Sequence, residues 1–166
     1  MKRNILFLFL ASGLMFSCSK DDNNDETETG QNAIVGQWQA TELQIDNATA
    51  SDDAKFGKQI LDFLTERECV ILTFDFKADL TVTAENSADY LSINATPTGL
   101  DVPCPTESDT DASTYTYDGS VLTTIDENGQ TIMVDVTING DTMTVDASDL
   151  DIDNFNDEGQ LIFKKI

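Results

Sequence analysis

From Ile34 to the end of the chain, short segments alternate apolar and polar residues with a period of two. That period predicts strands with one buried face. Ile34 to Ile45 reads as the first strand, with Gly36-Gln37-Trp38 near its start. Val70, Leu72, Phe74 and Phe76 alternate with Ile71, Thr73, Asp75 and Lys77; Lys77-Ala78-Asp79 makes a reversal; Leu80, Val82 and Ala84 then alternate with Thr81, Thr83 and Glu85. The C-terminal half repeats this meander. Thr114 to Tyr117 pairs with Val121 to Ile125 across Asp118-Gly119, and Thr131 to Ile138 places Ile132, Val134, Val136 and Ile138 on one face. Asn139-Gly140 is the strongest hairpin signal, because both residues tolerate the positive φ of a type I′ turn. Thr142 to Val145 follows, and Leu161-Ile162-Phe163 opens a closing strand. The total is about eight antiparallel strands rich in Val, Ile and Thr. One segment departs from the period: Ser51 or Asp52 caps a helix running to Glu66, with Phe56, Ile60, Phe63 and Leu64 at helical spacing and Asp52-Asp53 at its positive end. This helix is expected to cover one end of a barrel, with its apolar stripe packed as core.

The N-terminal segment has a different character. Lys2 and Arg3 precede a twelve-residue apolar run, Ile5 to Phe16, which is too short for a membrane-spanning helix and reads as a signal peptide over residues 1–17. Met15-Phe16-Ser17-Cys18 resembles a bacterial lipobox, and the resemblance implies cleavage after Ser17 with Cys18 lipidated. Residues 18–31 are polar and acidic and cannot offset the entropy of ordering, so they read as a flexible tether. Ser19-Lys20-Asp21-Asp22 resembles the export signal of surface-exposed lipoproteins of Gram-negative bacteria. The expected address is therefore the outer membrane, lipid-anchored, on the cell surface, with the periplasmic face as the alternative.

Charge narrows the function classes. The chain has 31 acidic and 9 basic residues and no His, a net charge of −22. Nucleic-acid binding needs clustered Lys and Arg and is excluded on that balance. Without His, neither a Ser-His-Asp nor a Cys-His arrangement can form. No Gly-rich phosphate loop is present. Among 31 carboxylates some pair falls adjacent by chance, so paired acids do not single out a glycosidase.

With Cys18 assigned to lipid, Cys69 and Cys104 remain as an even pair in an oxidising compartment and are read as a disulfide pinning the long Ser87–Ser113 connection. Asp149, Asp151, Asp153 and Asp157 crowd one loop and are the candidate ligands for calcium, a hard cation that prefers oxygen donors, although their spacing is not that of an EF-hand. A solvated acidic loop explains the same residues. No other cofactor is expected.

Gly36-Gln37-Trp38 at the start of an all-β domain, Cys69 before the strand ending at Phe76, Cys104 in a long loop, and Leu161-Ile162-Phe163-Lys164 at the end resemble, in that order, the lipocalin-like domains of Gram-negative outer-membrane lipoproteins. The resemblance implies an all-β, eight-stranded antiparallel up-and-down barrel (a calycin) over residues 32–166, with one short helix after the first strand and Trp38 closing the floor. Only Lys164 or Lys165 stands where such domains carry an Arg across the Trp. Alternate residues of an eight-stranded barrel point inward, where they fill the space or surround one small ligand. The candidate interior residues are Trp38, Phe74, Phe76, Tyr115, Tyr117 and Phe163, with Val82, Val134, Val136 and Val145 around them. Tyr115 and Tyr117 share a face and offer polar tips in an apolar cup. The expectation is a non-enzymatic, membrane-anchored lipoprotein that binds a small apolar or amphipathic ligand in its barrel. The alternative is a cell-envelope interaction protein whose acidic loops, calcium-stabilised or not, contact a protein or glycan partner.

Overall fold

The computed structural model describes residues 30–97, 99–125, 128–150 and 157–166. A single helical turn, α1 (Gln31–Ile34), leads into β1 (Gly36–Ile45), and the long helix α2 (Asp52–Glu66) follows. Strands β2 (Leu72–Phe76) and β3 (Thr81–Asn86) form the next hairpin. A small separate hairpin, β4 (Asn94–Thr96) and β5 (Gly99–Asp101), interrupts the meander. It resumes with β6 (Asp109–Tyr117), β7 (Val121–Ile125), β8 (Thr131–Asn139), β9 (Thr142–Asp146) and β10 (Gly159–Lys165). Eight strands close a barrel in the order β1-β10-β9-β8-β7-β6-β3-β2, with every pairing antiparallel. Closure leaves the barrel itself without an edge strand, which removes the usual template for edge-to-edge association there.

The interior follows the two-residue period. Phe76, Val82, Tyr115, Tyr117, Val134, Val136, Met143, Val145, Leu161 and Phe163 are buried in one cluster with Trp38. β1 keeps the period only with a correction: its pairing with β10 shifts between Ala40 and Glu42, so Thr41 is an extra residue. Trp38 and Ala40 face inward before the bulge and Leu43 after it. A bulge of this kind re-aims side chains and increases twist. The Thr41 hydroxyl donates to Ile162 O across the bulge at 3.3 Å.

Several boundaries differ from the sequence pattern, each for a local reason. Ile34 ends α1 rather than opening β1; it is fully buried against the barrel. Val70 lies before β2 and is 45% exposed, because the chain there is still leaving α2. β6 starts at Asp109, five residues before Thr114, since its first part pairs with β3 from Asn86 to Thr81. The β8–β9 turn is centred on Gly140-Asp141 instead of Asn139-Gly140. Asn139 pairs with Thr142, and Gly140 alone takes a positive φ, 58°. That is the pattern of a II′ turn, with Gly at its first central position.

The α2 cap matches its sequence signal: the Ser51 hydroxyl accepts the Ala54 N–H at 3.1 Å. Its end carries no glycine. Glu68 takes φ 60°, with Glu68 N–H donating to Thr65 O and Cys69 N–H to Leu64 O. These are the two bonds of a Schellman motif, built on a residue that adopts the left-handed region at a cost. The apolar stripe splits. Ala54, Ile60 and Leu64 are buried, whereas Phe56 and Phe63 lie on the exposed flank at 42% and 36%. Arg67 covers the Phe63 ring at 5.2 Å and donates to Val102 O at 3.0 Å.

Cys69 and Cys104 form a disulfide with Cα atoms 5.4 Å apart. Around it Ile60, Leu64, Cys69 and Val102 make a second small core outside the barrel, with Ile71 and Leu91 packed against it. The bridge and this cluster bind the β3–β6 connection to α2.

Candidate functional site

The two ends of the barrel differ in kind, and the sequence explains why. At one end stand the largest inward side chains. Trp38 and Phe163 are fully buried, and Tyr115 and Phe76 are 2% exposed. α1 lies across this end: Trp38 Nε1 donates to Ile34 O at 2.7 Å. Phe76 meets Tyr115 edge-on with centroids 5.0 Å apart. The tyrosine tips are spent internally, Tyr115 Oη donating to Lys77 O at 2.9 Å and Tyr117 Oη to Val136 O at 3.3 Å. Burial raises the pKa of both phenols, since the phenolate would lose solvent. Outside, Lys165 Nζ lies 5.1 Å from the centre of the Trp38 ring. Gly36 makes that crossing feasible: its φ is 132°, and a Cβ there would stand 2.7 Å from Lys165 Cε. Only glycine suits both the backbone and the close approach.

At the other end the barrel thins. Ala84, Ser113 and Thr124 stand at inward positions where the closed end has Trp and Tyr. A cavity of about 210 Å³ results, walled by Phe74, Leu122, Ile132 and Leu150 and floored by Phe76, Val82 and Val134. Asp111 from β6 and Asp149 from the 3₁₀ turn Ala147–Asp149 are its charged lining residues. A second cavity, about 380 Å³, opens beside the same end. It is enclosed by Ala54, Ile60 and Leu64 of α2, by Leu43, Leu72 and Leu161 of the barrel, and by Ala88, Leu91 and Ile93 of the β3–β4 connection. Its one charged lining residue is Asp53. The disulfide-linked cluster thus supports one wall of the larger cavity.

Of the six interior candidates, Phe74 and Phe76 line the smaller cavity. Trp38, Tyr115, Tyr117 and Phe163 lie in the packing beneath it and line neither cavity. The two tyrosines offer no free polar tip to a ligand, because each hydroxyl is already bonded to a backbone carbonyl. The loop carboxylates are also occupied. Asp149 Oδ2 accepts the Asp135 N–H at 3.1 Å, and Asp157 accepts from Ser51, Oδ1 from its N–H and Oδ2 from its hydroxyl. The Ser51 hydroxyl, and next its N–H, hold the Asp157 carboxyl below its usual pKa. Asp157 therefore clips the β9–β10 connection to the cap of α2. Asp151, Asp153 and Cys18 lie outside the described residues. Among the described residues, no group of three or more acidic or sulfur ligands is gathered as a metal site.

Sequence reasoning missed the cavity walls supplied by Ala84, Leu122, Thr124 and Ile132. The available signal was size along each strand: Phe76 is followed in the hairpin by Val82 then Ala84, and Tyr115 is preceded by Ser113 and Asp111. Inward residues shrink towards one end of the barrel, and a taper of this kind leaves space.

No curated protein matches the chain. Among solved structures, the chain is similar to a lipocalin-like protein from Bacteroides uniformis ATCC 8492, with 13% identity, a TM-score of 0.40, and coverage of 81% of this chain and 99% of that one. The family model of the lipocalin-like domain aligns with residues 34–145, from the end of α1 through β9. Lipocalin-like domains commonly bind small hydrophobic molecules. By that alignment, over more than half of its length, this chain belongs to the lipocalin-like domain family.

Proposed function

We propose that this protein is a lipid-anchored, non-catalytic binding protein of the Gram-negative outer membrane that holds a small apolar or amphipathic molecule at the open end of its barrel. The observation that carries the reading is the taper: one end is packed solid, and the other keeps an apolar cavity of about 210 Å³. Apolar cavities of about 150 Å³ are known to stay dry and to take a benzene-sized guest, so this volume suits a ligand of roughly ten heavy atoms. The anchor rests on Cys18 and the polar segment behind it, and the cell-surface address on Ser19-Lys20-Asp21-Asp22. The test is native mass spectrometry of freshly purified protein beside an Ala84→Leu variant, which fills the cavity from its wall. A co-purifying small molecule present on the parent and lost from the variant supports the reading. Identical, unliganded spectra, with no uptake from a library of small apolar compounds, refute it. Labelled palmitate incorporation that disappears in Cys18→Ala tests the anchor separately.

A further inference from the structure

The charged residues that line the two cavities at the open end are of one sign. Asp111 and Asp149 line the smaller cavity and Asp53 the larger, and no Lys or Arg lines either among the described residues. The sequence reinforces the asymmetry: from Lys77 to Lys164 no basic residue intervenes, so β3 through β9 and every loop between them carry none. The barrel's cations, Lys77, Lys164 and Lys165, all sit at the closed end; the other basic residues among those described, Lys55, Lys58 and Arg67, belong to α2 and its C-cap. The Asp111 carboxylate makes no side-chain hydrogen bond or ion pair with a described residue, whereas Asp149 spends Oδ2 on the Asp135 N–H. An apolar cup whose charged lining residues are carboxylates favours a cation over an anion at its opening.

We infer that the barrel cavity selects an apolar molecule carrying a cationic amine, with the body in the cup and the ammonium between Asp111 and Asp149, and rejects the corresponding carboxylates. The inference rests on the binding reading above and adds the ligand's head group to it. An alkyl carboxylate seated with its chain in the cup would bring its charge to two like charges, with no donor cation to offset them. An ammonium gains from the same groups, and an alcohol is indifferent. At a partly screened opening such a reversal of sign separates amine from acid by about tenfold or more.

Isothermal titration of the purified chain with octylammonium, 1-octanol and octanoate, at low and at high ionic strength, reads the selectivity directly. The expected order is octylammonium, then octanol, then octanoate, with the amine-to-acid ratio shrinking in salt. Asp111→Asn and Asp149→Asn together should bring that ratio to about one, with octanol titrated into the same variant as the neutral reference; the asparagine oxygen at 149 can still accept the Asp135 N–H. Equal binding of all three probes, or tighter octanoate, overturns charge selection and leaves the binding reading standing. A ratio that survives in the double variant overturns the assignment to these two carboxylates. Failure of all three probes to bind overturns this inference together with the reading beneath it.

Discussion

Gly36→Ala is the sharpest test of how the closed end is built. The substitution adds one methyl group, yet the structure assigns it two costs. The φ of 132° lies where residues with a Cβ are strained, at about 1–3 kcal/mol. The new Cβ would also sit 2.7 Å from Lys165 Cε. That atom is near the end of a flexible side chain, so it can swing away, forfeiting a cation–ring contact with Trp38 worth about 0.5–1 kcal/mol. Against these, alanine restricts the unfolded chain and returns about 0.4–1 kcal/mol. The net expectation is a loss of about 1–3 kcal/mol. Trp38 is the only tryptophan and lies within the affected end, so urea unfolding followed by its fluorescence reads the change directly. Repeating the substitution in a Lys165→Ala background separates the terms: the backbone strain persists and the side-chain part vanishes. An unchanged midpoint for Gly36→Ala in both backgrounds would refute the reasoning.

Other expectations follow from single features. Replacing Cys69 and Cys104 with serine should remove about 4 kcal/mol on the chain-entropy model for a 35-residue separation, seen as a lower urea midpoint for the variant than for the oxidised protein; equal midpoints would show the bridge to be neutral. Glu68→Gly should stabilise by up to about 1 kcal/mol by relieving the left-handed residue of the α2 C-cap, and a fall in the thermal midpoint would contradict that. Tyr115→Phe should cost about 1 kcal/mol through the lost bond to Lys77 O, measured by the same urea assay. Alkaline titration should be shifted. Tyr115 and Tyr117 are raised chiefly by burial and Tyr90 by its bond to Asp109, so their stabilising contribution is complete below the ordinary tyrosine pKa and is lost as pH rises through the folded values. Tyrosinate absorbance appearing at its ordinary pH in folded protein would contradict this. In acid the sign reverses. Asp157, depressed by Ser51, helps above the ordinary carboxylate range and stops helping as pH falls through its folded value, so Asp157→Asn should flatten the acid limb of a stability profile.

The barrel was largely legible in the sequence because a period of two is a direct imprint of a buried face, and β8 shows it cleanly from Ile132 to Ile138. What escaped were features set by neighbours rather than by the strand itself. The first half of β6 is exposed and polar along Asp109 to Ala112, and only its partner β3 makes it a strand. The end of α2 lacks the glycine that normally announces a stop, and its bonds from Glu68 and Cys69 appear only in three dimensions. The Asn139-Gly140 pair signalled a turn correctly, but cross-strand pairing fixed its centre one residue later. The candidate site was half legible. Phe74 and Phe76 could be placed inside by alternation, whereas the depth at which filling stops depends on which strands face each other around the barrel, and sequence order alone does not give that.

The chain enters the barrel at the end that α1 seals, and β1 then runs the length of the wall between β10 and β2. If residues 18–29 connect that entry to a membrane, any pull exerted at the open mouth loads β1 along its own axis. The hydrogen bonds to β10 and β2 lie across that axis, so they share the load together instead of opening one after another. Anchored in that way, the barrel would resist extraction in shear, with its packed end on the side of the chain's entry and its mouth at the opposite end.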